Sequence, residues 1–340
     1  MSAWGPFDGL RVAGLYAGLH RKDRRAGRQL RPVQDRTAEI GPGTIPLVAC
    51  LRNEAFRMEA FVAHYRRLGV GHFLFVDNDS DDGFMDWASA QKDVSVWHTA
   101  ASYKASNFGM LWCNDLLRRY GAERWCVCVD PDEFLVYPYM QTRSLRALAQ
   151  HLDDAKRRAF PALMLDAYSD RPLAQATLAP GQDPFEVCPF FDRDGYIQSA
   201  GWGSGLAIRG GPRMRVHFRD RPWQAPALNK IPFVKWRRTY HYRSSMHDAW
   251  PFELNRAEAK LGQLRMPPTT GALFHFKFVA SLKDKAAEEM ARGEHYAGSR
   301  EYARYHADAA GEFFADGISM RYEGPQQLVD LGLMSPGRWF

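Results

Sequence analysis

The sequence predicts an α/β fold in which a mostly parallel central sheet is flanked by helices and followed by a helical C-terminal extension. Three observations point there. Between residues 45 and 129, short apolar runs alternate with stretches of helical period. Glycines and short polar clusters punctuate those units. The apolar runs also end repeatedly in acids, which is how an open α/β sheet equips the carboxyl ends of its strands.

Taken in order, Gly41, Pro42 and Gly43 break the chain after a basic leader. Residues 45–51 read as a first buried strand, and Asn53 as the N-cap of the helix after it. Met58, Phe61, Val62, Tyr65 and Leu68 fall on one helical face, and Gly69 stops the helix. A second strand at 72–76 completes a β-α-β unit with parallel strands. The loop that follows carries Asp77, Asp79, Asp81 and Asp82. Ala88 stands where a calcium-binding EF-hand loop beginning at Asp77 would place its glutamate, so calcium binding of that type is excluded. Asp77 is the candidate ribose or base ligand, and the later aspartates read as turn formers and caps. Residues 94–97 make a third strand. Lys104 lies in the polar loop beyond it, where it could neutralise a phosphate, and a helix through Phe108, Leu111, Trp112 and Leu116 leads to the central strand.

That strand and its turn read WCVCVDPDEFLVYP, residues 125–138. Three carboxylates, Asp130, Asp132 and Glu133, end a run buried on both faces, and unpaired they would cost several kcal/mol each. Asp130 and Asp132 are expected to point the same way and to hold a hard divalent ion, Mn²⁺ or Mg²⁺, against a phosphate. Beyond residue 140, a helix at 144–152 and a strand at 162–165 are expected. The segment 171–195 reads as a long acceptor-facing loop. The glycines of 201–211 precede a strand instead of following one, so they form no dinucleotide fingerprint. In the stretch 230–247, Lys235, Arg237, Arg238 and Arg243 are candidates to grip a diphosphate, with Trp236 and Tyr240 stacking on sugars. An exposed strand explains the same pattern equally well. His247, Asp248 and Glu253 are candidate catalytic bases. The tail at 282–292 and 300–313 reads as two helices, acting as a lid or as a homodimer contact.

Composition sets the outer bounds. An apolar fraction of 46% argues for a packed globular chain, and five cysteines without a C-x-x-C pair fit a reduced compartment. No run reaches the length of a membrane span, and no secretory signal opens the chain, so a cytoplasmic protein is expected. Net charge is +6, with the excess gathered in the leader, whose residues 11–36 hold Arg11, Arg21, Lys22, Arg24, Arg25, Arg28, Arg31 and Arg36. Peripheral contact with an anionic membrane is one use of such a patch. A solvated, partly disordered leader is the plainer one. No nucleic-acid-binding signature accompanies the charge, and no nucleic-acid partner is expected.

The runs LVACLRNEAFRMEAFVAHYRRLGVGHFLFVDNDSDDG and DLLRRYGAERWCVCVDPDEFLVYP resemble a family 2-type glycosyltransferase of GT-A fold, from the bacterial branch with a D-x-D-E-F motif. The likeness covers about residues 45–140, with a weaker echo at ALFHFKF. It implies a GT-A-like, Rossmann-like sheet and three regions: the leader at 1–43, a nucleotide-sugar and catalytic domain at 44–255, and the extension at 256–340. It also implies an inverting, hexosyltransferase-like enzyme of bacterial surface polysaccharide or glycoconjugate synthesis. Its partners would be a UDP- or GDP-linked sugar donor and a glycan or lipid-linked acceptor. Carried over by position, Glu54 and Asp77 would contact the nucleotide; Arg52 and Lys104 are the further candidates for its binding. Asp130 and Asp132 would hold ribose and metal, and His275 would complete the metal shell. The acidic pair that supplies the base in many members has no obvious counterpart. Two other classes remain: a nucleotidyl- or phosphotransferase on the same acids, and a non-catalytic nucleotide-sugar or polyanion binder.

Overall fold

A computed structural model describes residues 8–200, 206–257, 268–282 and 312–340. Its strands run in chain order as β1 (Arg31–Gln34), β2 (Pro46–Leu51), β3 (His72–Asp77), β4 (Val94–His98), β5 (Trp125–Cys128), β6 (Glu133–Val136) and β7 (Ala159–Asp166). They continue as β8 (Phe190–Asp192), β9 (Ile197–Ala200), β10 (Leu206–Arg209), β11 (Asn229–Lys235), β12 (His241–Ser244), β13 (Asp248–Trp250), β14 (Gly271–His275) and β15 (Ser319–Arg321). The α-helices are α1 (Asp8–Gly27), α2 (Ala55–Leu68), α3 (Phe84–Ser89), α4 (Met110–Tyr120), α5 (Leu145–Asp154), α6 (Pro184–Val187) and α7 (Pro325–Asp330).

Among the described residues, one sheet of nine strands dominates, in the order β1-β4-β3-β2-β5-β11-β7-β14-β6. β4, β3, β2 and β5 are mutually parallel, and β7 is parallel to β14. β11 is antiparallel to both β5 and β7, so all six of those strands run one way. This is the mixed, mostly parallel α/β sheet that the alternating pattern predicts. The order turns back at β2 and β5, so the crevice at their carboxyl ends is a topological switch point.

Both faces of the sheet are covered. Leu47, Ala49 and Leu51 of β2 pack in the layer that holds Met58, Phe61, Val62 and Tyr65 of α2. Val48 packs on the other face with Trp112 and Leu116 of α4. That alternation is the two-residue period of a strand with a helix on each side. α2 ends at Gly69, whose φ of 101° closes the helix in the left-handed conformation only glycine enters freely.

Several expectations are corrected. The leader is not separate from the sheet: Asp8–Gly27 is helical, and β1 pairs antiparallel with β4 beyond the Gly-Pro-Gly break. Ala26 and Leu30 join the α4 layer, and a Cβ on Gly27 would overlap the Asp115 carboxylate, so glycine permits that close packing. Asn53 does not cap α2. It sits at φ 53°, and the N–H of Ala55 donates to Asp82 at 2.6 Å. The segment 171–195 holds a 3-10 turn, α6 and β8, so it is not a bare loop. The glycines at 201–205 and nearly all of the two tail helices lie outside the described residues. Among the described residues, no helix is long and apolar enough to cross a membrane.

Candidate active site

The D-x-D-E turn joins β5 to β6 at the carboxyl edge of the sheet. The backbone N–H of Glu133 donates to the Asp130 carbonyl at 3.0 Å, and Glu133 Oε2 accepts from the Asp130 N–H at 3.0 Å. Glu133 thereby closes the turn from both ends. Its other oxygen, Oε1, meets Lys230 Nζ at 2.8 Å, and Lys230 also reaches Asp130 Oδ2 at 3.3 Å and Ser245 Oγ at 3.2 Å. Burial works against the Lys230 ammonium, but Glu133 and Asp130 outweigh it and hold the amine charged. The Asp130 side chain remains 45% exposed, so this carboxylate still faces solvent.

Asp132 points to a different partner. His275, at the end of β14, brings Nε2 to 3.3 Å from Asp132 Oδ2, and its Nδ1 lies 2.7 Å from Asp166 Oδ1. Asp166 closes β7, the parallel neighbour of β14, and the two residues are register partners. On its far side, Asp166 Oδ2 accepts from Arg213 Nε at 2.7 Å. Burial raises the Asp166 carboxyl, but Arg213 and His275 reverse the sign and lower it. Burial likewise disfavours the His275 imidazolium, yet Asp132 and Asp166 push that ring up to about 9. Asp132 is held well below the usual carboxylate range, because His275, Arg57 and Lys277 together exceed its burial. Since Asp166 accepts at Nδ1, His275 turns Nε2 toward Asp132.

The nucleotide-side candidates gather at the neighbouring strand ends. Asp77 is buried at the end of β3, accepting from Ser80 N at 3.1 Å and meeting His98 Nδ1 at 3.1 Å. Arg52 Nη1 donates to the Asn78 carbonyl at 2.9 Å and so ties the end of β2 to the loop after β3. Glu54 is buried and pairs with Arg57 Nε at 2.6 Å, while Arg57 Nη1 donates to the Phe276 carbonyl at 3.1 Å. Glu54 thus supports the residue that faces Asp132. Lys104 is exposed in its loop.

The late candidates divide. Asp248 receives the Arg243 guanidinium at 2.8 Å and the Asn255 amide at 3.1 Å. His247 Nδ1 lies 2.6 Å from the Asn229 carbonyl, which fixes its proton on that nitrogen. Burial, with Lys230 second, pushes the ring down to about 3, so it stays neutral at ordinary pH. Glu253 is exposed, on a 3-10 turn at Phe252–Ala257. The proposed sugar-stacking aromatics are corrected: Trp236 and Tyr240 are buried with Tyr242 in the α4 layer. Lys235 binds Asp153 at 2.9 Å, leaving Arg237 and Arg238 as the exposed bases of that stretch.

Asp166, Arg213, Lys230 and Glu133 are the site residues that sequence reasoning undervalued. One signal was present: AFPALMLD ends an apolar run in an acid, just as HFLFVD and WCVCVD do. Among the described residues, no three His, Cys, Asp or Glu side chains converge as a metal cage. Asp132 and, once its ring has given up the Nε2 proton to an incoming ion, His275 would offer two donors beside the half-exposed Asp130. That set fits Mn²⁺ or Mg²⁺, which keep waters and take further oxygens from a substrate's phosphates. It does not fit a structural zinc site, which needs four protein ligands.

No protein-family model and no curated protein matches the chain. Among solved structures it is similar to a Bacillus anthracis protein, assigned as a glucose-1-phosphate thymidylyltransferase and crystallised with sucrose. Identity is 8% over 76% of this chain and 99% of that one, with a TM-score of 0.35. So distant a likeness decides neither the reaction nor the residues.

Proposed function

We propose that the protein is a metal-dependent, inverting glycosyltransferase that moves a sugar from a nucleotide-diphosphate sugar to a hydroxyl acceptor. The observation that carries this reading is the approach of Asp132 Oδ2 and His275 Nε2 to 3.3 Å at the carboxyl edge of the sheet, beside a half-exposed Asp130. Asp132 and the deprotonated Nε2 of His275 would hold Mn²⁺ or Mg²⁺, the ion displacing the ring proton, and it would offset the charge that develops on the departing diphosphate. Asp130 contacts the ribose or the ion. Arg52, Glu54 and Asp77 shape the pocket for the base, and Lys104 meets phosphate. Lys230 keeps Asp130 in place and adds a fixed positive charge within its reach. The acceptor oxygen forms the new bond to the anomeric carbon as the bond to the diphosphate breaks. Its proton passes to a carboxylate, for which Glu253 is the more exposed of the two candidates, Asp248 and Glu253.

Thermal melting with UDP, GDP and CDP, each with and without Mn²⁺, tests this for wild type and Asp132→Ala. One nucleotide should raise the melting temperature only with metal, and only in wild type, with ligand concentrations matched because the shift follows mass action. Product analysis then separates the chemistries: glycosyl transfer or donor hydrolysis releases a nucleoside diphosphate, whereas attack at phosphorus releases a monophosphate. A cooperative melt that no nucleotide shifts overturns the donor site.

A further inference from the structure

We propose that the outer face of α1 is an electrostatic docking surface for an anionic lipid bilayer. Arg21, Arg24 and Arg25 in the helix and Arg28 in the turn that ends it stand at i, i+3, i+4 and i+7, a spacing that at helical pitch spans an arc of about 100°. All four are exposed, as are Lys22 beside them and Arg31 just beyond the helix. The one acid within this run, Asp23, points the other way. It is buried and meets His241 Nδ1 at 2.9 Å, while Ala26 and Leu30 pack in the α4 layer and Gln29 Oε1 accepts from Trp112 at 3.0 Å. The inward face therefore anchors the helix and takes its only nearby negative charge with it. Six outward bases remain, and no exposed acid stands between Arg21 and Gln34.

The form of the patch selects its partner. Its helical part, residues 21–27, runs about 9 Å along the surface at helical rise, with Arg28 and Arg31 just beyond. Residues 17–40 contain no Phe, Tyr or Trp. Single-stranded nucleic acid is held by aromatic platforms on which bases stack, and the patch offers none. Further along the same stripe stand Gly14 and Ala17, both exposed and both small. A flat row of bases suits a plane of anionic headgroups, which it meets without inserting. Each base near such a surface changes partitioning by about a factor of five. Attachment is accordingly charge-driven, salt-sensitive and reversible.

Co-sedimentation of the full chain tests this with vesicles of phosphatidylcholine alone and vesicles containing about one third phosphatidylglycerol. The anionic vesicles should bind it at least about a hundredfold better than the neutral ones, and about 0.5 M salt should release it. The triple variant Arg21→Glu, Arg24→Glu, Arg28→Glu should lose binding by about a hundredfold or more while keeping the wild-type melting temperature. Arg237→Glu with Arg238→Glu, which alters exposed bases elsewhere, should bind as wild type does. The proposal is overturned if the wild-type protein ignores anionic vesicles, binds both kinds equally, or binds single-stranded RNA or duplex DNA more tightly than vesicles at the same salt. These readings on the wild type do not depend on how the variants fold.

Discussion

The loop after β3 and the turn after β5 are both acidic, both close parallel strands of one sheet, and lie at the same edge of it. Their carboxylates do different work. In the first loop, Asp77 accepts from Ser80 N, and Asp82 accepts from the N–H groups of Ala55 and Phe84 at 2.6 and 3.2 Å. These contacts hold backbone, the ordinary use of aspartate in turns and at helix starts, with the His98 ring beside Asp77 as a further partner. In the second, Asp130 and Glu133 share Lys230, and Asp132 faces His275. Composition does not separate the two. The separation comes from cations delivered by β11 and β14, strands that the chain reaches only after residue 228.

The sharpest way to break this comparison is Asp132→Ala. Removing a carboxylate that holds the catalytic ion should lower transfer about a thousandfold, equivalent to about 4 kcal/mol of transition-state stabilisation. Steady-state assay of sugar transfer reads it directly. A tenfold loss or less would put Asp132 in the same class as the aspartates of the first loop.

Asp166→Ala should cost the most in folding. It strips a carboxylate partner from Arg213 and the acceptor from His275 Nδ1, with the Arg213 side chain only 5% exposed, and deleting one member of a buried pair typically costs about 3 kcal/mol or more. Asp166→Asn keeps an acceptor for Nδ1 and should cost visibly less. Urea unfolding of both variants checks the difference. Equal losses would mean that charge alone, and not the Nδ1 hydrogen bond, holds His275.

A third effect is set by pH and lies away from the site. His64 Nε2 lies 3.0 Å from the Leu135 carbonyl, and burial pushes its ring from 6.5 down to about 4. The ring is neutral in the folded chain and protonates more readily once unfolded. Its contribution is therefore complete above pH 6.5 and lost as pH falls toward 4, by up to about 3 kcal/mol. His64→Gln should flatten that part of the stability curve, followed by urea midpoints at successive pH values. An unchanged slope would assign the acid loss elsewhere, for instance to the neutral His247.

Much of this was legible in the chain, for stated physical reasons. The β2-α2-β3 unit is visible because Met58, Phe61, Val62 and Tyr65 keep a helical period between two apolar runs. Asp132 and His275 are visible as ligand types closing such runs. Lys230 was passed over because the stretch it opens looks exposed: KIPFVKWRRTYHYRSSMH mixes basic and aromatic residues. β11 instead inserts between β5 and β7, which buries Phe233 in one layer and Ile231, Val234 and Trp236 in the other. A strand order that brings a late segment into the middle of an early sheet leaves no local trace. The Asp166–His275 pair has the same origin, a parallel register between β7 and β14 that neither segment encodes alone.

The smallest effect tests the comparison from its quieter side. Asp82→Ala removes the acceptor for the first-turn N–H of α2 and for the start of α3, and a lost cap of this kind costs about 1 kcal/mol. Metal-dependent nucleotide stabilisation should survive unchanged, because Asp82 belongs to the backbone-holding set. The two readouts come from the same melting experiment: a lower baseline melting temperature with an undiminished ligand shift. Should the ligand shift vanish as well, Asp82 would join Asp77 in the nucleotide machinery. The division between the two acidic turns would then have to be redrawn around Asp77, whose buried carboxylate holds the Ser80 N–H in that same loop.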